Sequence, residues 1–200
     1  SYTANGVDLT YSSLSNASWT RDGNLLGTML EADSNVINDI VSASTNITYG
    51  TAHHTVTAAD FGVAGNATWY GANAFIAYLN SVNYAGINRW ILPSFAGTFD
   101  TLFYIELGNF PDYNNTTMFE NLIPNVVWTR EEFSLDTSKA WAFLYGAHLS
   151  HPILSSTKAF IMPMASGLIY AAPVPDPEVY SMMLAGLGLV GFAARRKATK

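Results

Sequence analysis

Two hundred residues suit one ordinary domain with a small appendage. Nearly half of them are apolar (49%) and 14% are aromatic, enough for a packed core, which excludes global disorder; the lack of cysteine excludes disulfides, thiolate metal sites and cysteine nucleophiles. All fifteen acids lie in residues 1–178, against only Arg21, Arg89, Arg130, Lys139 and Lys158, a net of −10, while Arg195, Arg196, Lys197 and Lys200 make the end of the chain +4; a body this acidic excludes nucleic acid as a partner, because phosphate binding needs clustered Lys and Arg.

In chain order, Ser1 reads as a mature N-terminus left by removal of a signal peptide. Ser34 caps a predicted helix whose apolar positions Val36, Ile37, Ile40 and Val41 fall at helical spacing. Residues 43–68 are rich in Ser, Thr, Ala, Gly and Asn and read as loops with room for one short strand. Thr68 caps the clearest helix, with Trp69, Ala72, Ile76 and Leu79 on one face and an end between Asn80 and Asn83. Trp90–Leu92 is a short apolar run closed by Pro93. Strands are predicted at Leu102–Leu107, Val126–Thr129, Trp141–Tyr145 and Ala159–Met162. Short antiparallel strands with two helices give an α+β fold.

Several segments also resemble the DUF1566 family, the Lcl C-terminal domain family. They are Trp69-Tyr70-Gly71-Ala72-Asn73, Leu79-Asn80, Tyr84-Ala85-Gly86 and Trp90-Ile91-Leu92-Pro93, a Trp/Ala helix followed by a Gly-Tyr-type turn and a Trp-x-Leu-Pro segment. The order continues downstream through Glu106–Asn109, Phe119–Leu122, Val127–Thr129 and Ala140–Phe143. Ile91 stands where the family usually has Arg. The helix and Leu-Pro arrangement is similar to the formylglycine-generating enzyme group, which implies a compact C-type-lectin-like domain over residues 1–172. That group's oxidation chemistry needs cysteines, and this chain has none.

Chemistry-bearing residues are sparse. His53, His54, His148 and His151 are the histidines; the last two have a zinc-compatible spacing, but Gly146 and Pro152 flank them and no Glu follows in a metalloprotease pattern, so no metal site is assigned. Asp22-Gly23-Asn24 and Asp112-Tyr113-Asn114-Asn115 offer oxygen ligands for calcium or, equally, plain turns. Glu131, Glu132 and Asp136 offer carboxylates for glycoside hydrolysis, yet adjacent acids on a strand point to opposite faces. No catalytic constellation is assigned. Trp19, Trp69, Trp90, Trp128 and Trp141 sit in apolar segments and read as core, with sugar-stacking platforms as the other reading. Asn16, Asn46, Asn66, Asn114 and Asn115 each open an Asn-x-Ser/Thr triplet, a glycan-acceptor pattern or a set of turn residues.

The chain closes on a separate layout. Residues 173–178, Pro-Val-Pro-Asp-Pro-Glu, form a stiff extended linker. Val179–Ala194 is apolar and uncharged; as a helix it spans roughly 24 Å, a little under a hydrocarbon core of about 30 Å. Gly186, Gly188 and Gly191 give it a small-residue packing face, and Arg195, Arg196 and Lys197 would hold its end in the cytoplasm. Pro175-Asp176-Pro177, apolar helix, basic end: this order over residues 173–200 resembles the PEP-CTERM signal, with Asp176 where Glu is usual. The resemblance implies a Gram-negative host, transient anchoring in the inner membrane, processing by an exosortase, and release to the cell surface or a biofilm matrix. The expected function is a non-enzymatic structural protein that self-associates into an oligomer or filament. The alternative is an adhesion module binding exopolysaccharide or other glycans. No cofactor is expected, calcium being the one candidate.

Overall fold

The structure is a computed structural model of the chain and describes residues 1–44, 53–95, 97–108, 115–145 and 149–170. The chain divides into two units, Ser1–Tyr170 and Ala171–Lys200, and the second lies outside the described residues. So do the linker, the apolar helix and the basic end expected there. Among the described residues no helix is long and apolar enough to cross a membrane.

The first unit is α+β. A meander of β1 (Tyr2–Ala4), β2 (Val7–Ser12) and β3 (Ala17–Thr20) is extended by β7 (Met164–Ser166), giving an antiparallel sheet in the order β1-β2-β3-β7. The β1–β2 turn is Asn5-Gly6 with both φ positive (50° and 78°), the backbone that a tight hairpin needs and that this dipeptide tolerates. A second antiparallel sheet, in sequential order, holds β4 (Val126–Glu132), β5 (Lys139–Leu144) and β6 (Leu149–Leu154). Between the sheets in sequence come α1 (Leu25–Ala32), α2 (Val36–Ser44) and α3 (Trp69–Ser81).

Helix α3 starts where its sequence says it should. The Thr68 hydroxyl accepts the Gly71 N–H at 3.1 Å, satisfying one of the first-turn donors. Its face of Trp69, Ala72, Phe75, Ile76 and Leu79 is buried. The Asn80 side chain, just before the helix ends at Ser81, accepts the Trp90 N–H at 2.7 Å and donates to the Trp90 carbonyl at 3.0 Å. That pair pins the Trp90–Pro93 run to the helix. Trp90 also donates its indole N–H to the Tyr84 carbonyl at 2.9 Å.

The β4-β5-β6 sheet separates two apolar cores. Trp128, Ala140 and Ala142 point to the larger one, which includes α2 and α3; Val127, Phe143 and Tyr145 point to an aromatic core with Trp19, Phe99 and Phe103. The alternation along β4 and β5 dictates this division. In the aromatic core Phe99 packs on Phe143 at 4.6 Å and Phe103 on Tyr145 at 4.5 Å between centroids. Burial pushes the Tyr145 hydroxyl pKa up.

Two expected strands take other forms. Leu102–Leu107 is not a strand: a helical turn at Thr98–Asp100 runs into a π-helix, Thr101–Glu106. Leu102 and Phe103 are consecutive and both buried while Ile105 is 67% exposed, a pattern that strand alternation does not permit. Ala159–Met162 is extended, but it makes single bridges to Ala67 and Val127 instead of a ladder; the strand comes after Pro163. β1–β3, α1 and β6 are not among the elements expected from the sequence.

Candidate functional site

The side of the second sheet that faces the aromatic core is only partly covered. Beyond Phe143 the same face carries Trp141, which is half-buried, whereas Trp19, Trp69, Trp90 and Trp128 are all 2% exposed or less. Phe95 lies flat on Trp141, with centroids 4.4 Å apart and planes 9° from parallel, and Phe133 meets its edge at 5.6 Å. Cross-strand pairing puts Pro152 and Leu154 on this face, opposite Trp141 and Lys139. Leu154 is 52% exposed, and Leu135 in the neighbouring β4–β5 turn is 86% exposed. The result is a solvent-facing aromatic and aliphatic patch.

Glu131 builds this patch. Its carboxylate accepts Ser94 Oγ at 2.8 Å, the Phe95 N–H at 3.1 Å and Arg130 Nε at 2.8 Å. The Arg130 N–H in turn donates to the Pro93 carbonyl at 3.0 Å. The Pro93–Phe95 segment is thereby tied to β4 and the Phe95 ring is set on Trp141. Asp136 is likewise occupied: Ser138 N–H, Ser138 Oγ and Lys139 Nζ all donate to it. Those bonds, the Ser138 hydroxyl first, lower its pKa to about 2. Asp136 is thus shifted away from what a general acid needs, and both carboxylates are committed to turn and loop geometry.

A second constellation was not assigned from the sequence. Asp60 is 6% exposed and accepts His54 Nε2 at 2.9 Å, Thr57 N–H at 2.8 Å and Thr68 Oγ1 at 2.7 Å. The His54 ring stacks on Tyr70, centroids 4.1 Å apart. Burial pushes the Asp60 carboxyl up, but the Thr57 amide, the Thr68 hydroxyl and His54 together hold it below its usual value. The Thr57 and Thr68 hydroxyls both donate to the carboxylate, so neither is poised as a nucleophile. The network joins the 54–60 segment to the start of α3. Its signal was legible: Thr57-Ala58-Ala59-Asp60 has the spacing of a capping box.

The other candidates are scattered. His53 is exposed, His151 lies on β6, and His148 falls outside the described residues. Asp22 accepts the Asn24 N–H at 2.9 Å in a local turn, and Arg21 pairs with Glu120 at 2.6 Å. Asp112 and Asn114 are outside the described residues. Among the described residues no three His, Asp or Glu side chains converge as metal ligands.

Asn16 is exposed in the β2–β3 turn at φ 47° and accepts the Tyr11 hydroxyl. Asn66 is half-buried, and Asn115 is exposed with its amide donating to the Leu107 carbonyl. Ser18 and Thr68, the third residues of the Asn16 and Asn66 triplets, are buried, so in the folded chain those two triplets are not presentable. Asn46 lies outside the described residues, as do the sorting-motif residues Pro175, Asp176, Pro177, Arg195, Arg196 and Lys197 and the glycines Gly186, Gly188 and Gly191.

No curated protein and no solved structure matches the chain. The family model described as the PEP-CTERM protein-sorting motif matches residues 173–197, the segment of the Pro-Asp-Pro linker, apolar run and basic end. The chain therefore carries a PEP-CTERM sorting motif, which marks an exported protein that is processed by an exosortase and sorted through the membrane to the cell surface or extracellular space.

Proposed function

We propose that the protein is a non-enzymatic component of the cell surface or extracellular matrix that self-associates through the β4-β5-β6 face. The observation that carries the reading is the patch of Phe95, Phe133, Leu135, Trp141 and Leu154, an apolar surface on a chain whose candidate carboxylates are tied up in structure. Contiguous exposed apolar surface on a soluble domain marks an interaction site. Native material examined by sedimentation velocity and electron microscopy should contain oligomers or filaments, and Trp141→Ala should disperse them. Only monomers at every concentration would refute self-association. Intact-mass analysis of native protein should find the C-terminus near the proline linker if the motif is processed.

One observation favours a second reading, an adhesion module for exopolysaccharide or other glycans. The parallel Phe95–Trp141 pair, bordered by Ser94, Glu131 and Arg130, has the flat apolar face and polar rim that pyranose rings use. Glycan-array binding by monomeric protein would favour it over assembly. The DUF1566-like, C-type-lectin-like reading of residues 1–172 belongs to the same proposal; what supports it is the pinning of the Trp90–Pro93 run against α3. Gram-negative origin rests on the motif alone.

A further inference from the structure

A groove of about 400 Å³ runs between the helical pair α1–α2 and the 58–63 segment, lined by Leu30, Ile37, Phe61 and Val63 with Ser34 and Ala58. Its volume is at the small end of the roughly 300–1,000 Å³ typical of ligand sites, room for a few apolar side chains. Val63 lines it while standing fully exposed. The wall that carries Val63 is built firmly. Gly62 N–H donates to the Asn66 carbonyl at 2.7 Å, Gly65 N–H to the Gly62 carbonyl at 3.1 Å, and Asn24 Nδ2 to the Ala64 carbonyl at 3.1 Å. These bonds hold the exposed Val63 side chain at the mouth of the groove, where it extends the apolar lining.

The field around the groove is predominantly negative. Residues 22–88 contain no Lys or Arg, and Glu31 and Asp33 flank the lining residues Leu30 and Ser34 on the exposed surface. The C-terminal end of α1 adds its partial negative charge there, with no base in its last turn, while Asp39 in the first turn of α2 offsets the positive end of that helix. Lys158 brings a positive charge to this wall, its ammonium donating to the Phe61 carbonyl at 2.8 Å, and Glu31 and Asp33 outweigh it. Asp60 is turned inward on His54. Anionic partners, including a second copy of this acidic body, meet repulsion here.

We propose that this groove binds a cationic amphipathic peptide segment, seating its apolar side chains against Leu30, Ile37, Phe61 and Val63 and its Lys or Arg against Glu31, Asp33 and the end of α1. The test uses the full chain and three fluorescein-labelled peptides of equal length: Leu/Lys amphipathic, Leu/Glu amphipathic, and Ser/Lys without apolar residues. The Leu/Lys peptide should bind saturably at micromolar concentration, and the other two at least tenfold more weakly. Val63→Arg removes an apolar wall and adds a cation at a position too exposed to affect folding, and it should weaken binding tenfold or more. Glu31→Gln with Asp33→Asn should weaken it severalfold and flatten its salt dependence. Amide shifts on titration should centre on residues 30–37 and 58–63. Equal binding of the Leu/Glu or Ser/Lys peptide, unchanged affinity in Val63→Arg, or shifts centred elsewhere would overturn the proposal.

Discussion

Replacing Asp60 with Ala removes the acceptor of three short hydrogen bonds and of a longer one from the Thr57 hydroxyl. Thr57 N–H, Thr68 Oγ1 and His54 Nε2 lie 2.7–2.9 Å from its oxygens, and the site is 6% exposed, so little water can take the carboxylate's place. Hydrogen bonds to a charged group contribute about 1.5–3 kcal/mol each, and part of that is regained because His54 sits near the surface. A net loss of about 3 kcal/mol follows. For a domain of this size that is roughly 6–12 °C in melting temperature. Asp60→Asn keeps the shape and an acceptor and should lose about half as much. The charge also has a pH signature. The folded-state pKa lies below the unfolded value of about 3.9, so this stabilisation is present above that value and disappears as pH falls through the folded one. Urea titrations of wild type and Asp60→Asn between pH 7 and pH 2 read both effects. The two stability curves should converge on the acid side. A loss under 1 kcal/mol for Asp60→Ala, or a gap unchanged down to pH 2, would refute the network as a stabilising element.

Other substitutions separate core from surface. Trp128→Ala empties a site with no exposure and leaves the Ala67 carbonyl without the indole N–H at 2.8 Å, so it should cost about 3–5 kcal/mol by denaturation. Trp141→Ala, half-buried, should cost roughly half of that while abolishing oligomers or glycan binding. Gly65→Ala puts a Cβ 2.4 Å from Asn24 Oδ1 and Gly27 N at φ +82°, which should destabilise by about 3 kcal/mol, seen as a lower urea midpoint.

The most legible parts of the chain were those whose patterns are local. The Thr68 cap and the 3.6-residue spacing from Trp69 to Leu79 define α3 without outside help. β4 and β5 are legible because Val126–Thr129 and Trp141–Phe143 are dense in β-branched and aromatic residues. The first sheet was not, since β1 has three residues and the polar Thr10, Ser12, Ser18 and Thr20 are buried in it, inverting the expected alternation. What satisfies them is distant in sequence: Thr10 donates to the Met118 carbonyl and Ser18 to the Gly167 carbonyl. The aromatic stack was half legible. Trp141 is as visible in the sequence as the four buried tryptophans, but its partner Phe95 depends on Glu131 reaching back across 36 positions. Leu102–Leu107 is dense in strand-favouring residues, but a run this short, interrupted only by Glu106, does not encode its own period.

For the proposed self-association, the geometry of β6 disfavours one route. Ser155 N–H donates to the Ser138 carbonyl at 2.9 Å, so alternation along the ladder makes Trp141 and Pro152 a pair without mutual hydrogen bonds. The backbone groups of Ser150, Pro152 and Leu154 then point away from the sheet, toward any incoming strand. Pro152 has no N–H to offer, and its carbonyl already accepts His151 Nδ1 at 2.9 Å. The Leu154 carbonyl accepts Thr157 N–H at 2.8 Å. An edge with half its hydrogen-bonding groups missing or occupied resists strand addition. The exposed Leu154, on the same face as Trp141, is therefore available to a partner arriving face-on. Pro152→Thr restores an outward N–H at a position where threonine suits the strand. It should leave the urea midpoint within about 1 kcal/mol of wild type and introduce thioflavin-positive edge-to-edge aggregation on concentration. Aggregation equal to wild type would mean that the proline does not guard this edge, and that the face-on route has no such protection behind it.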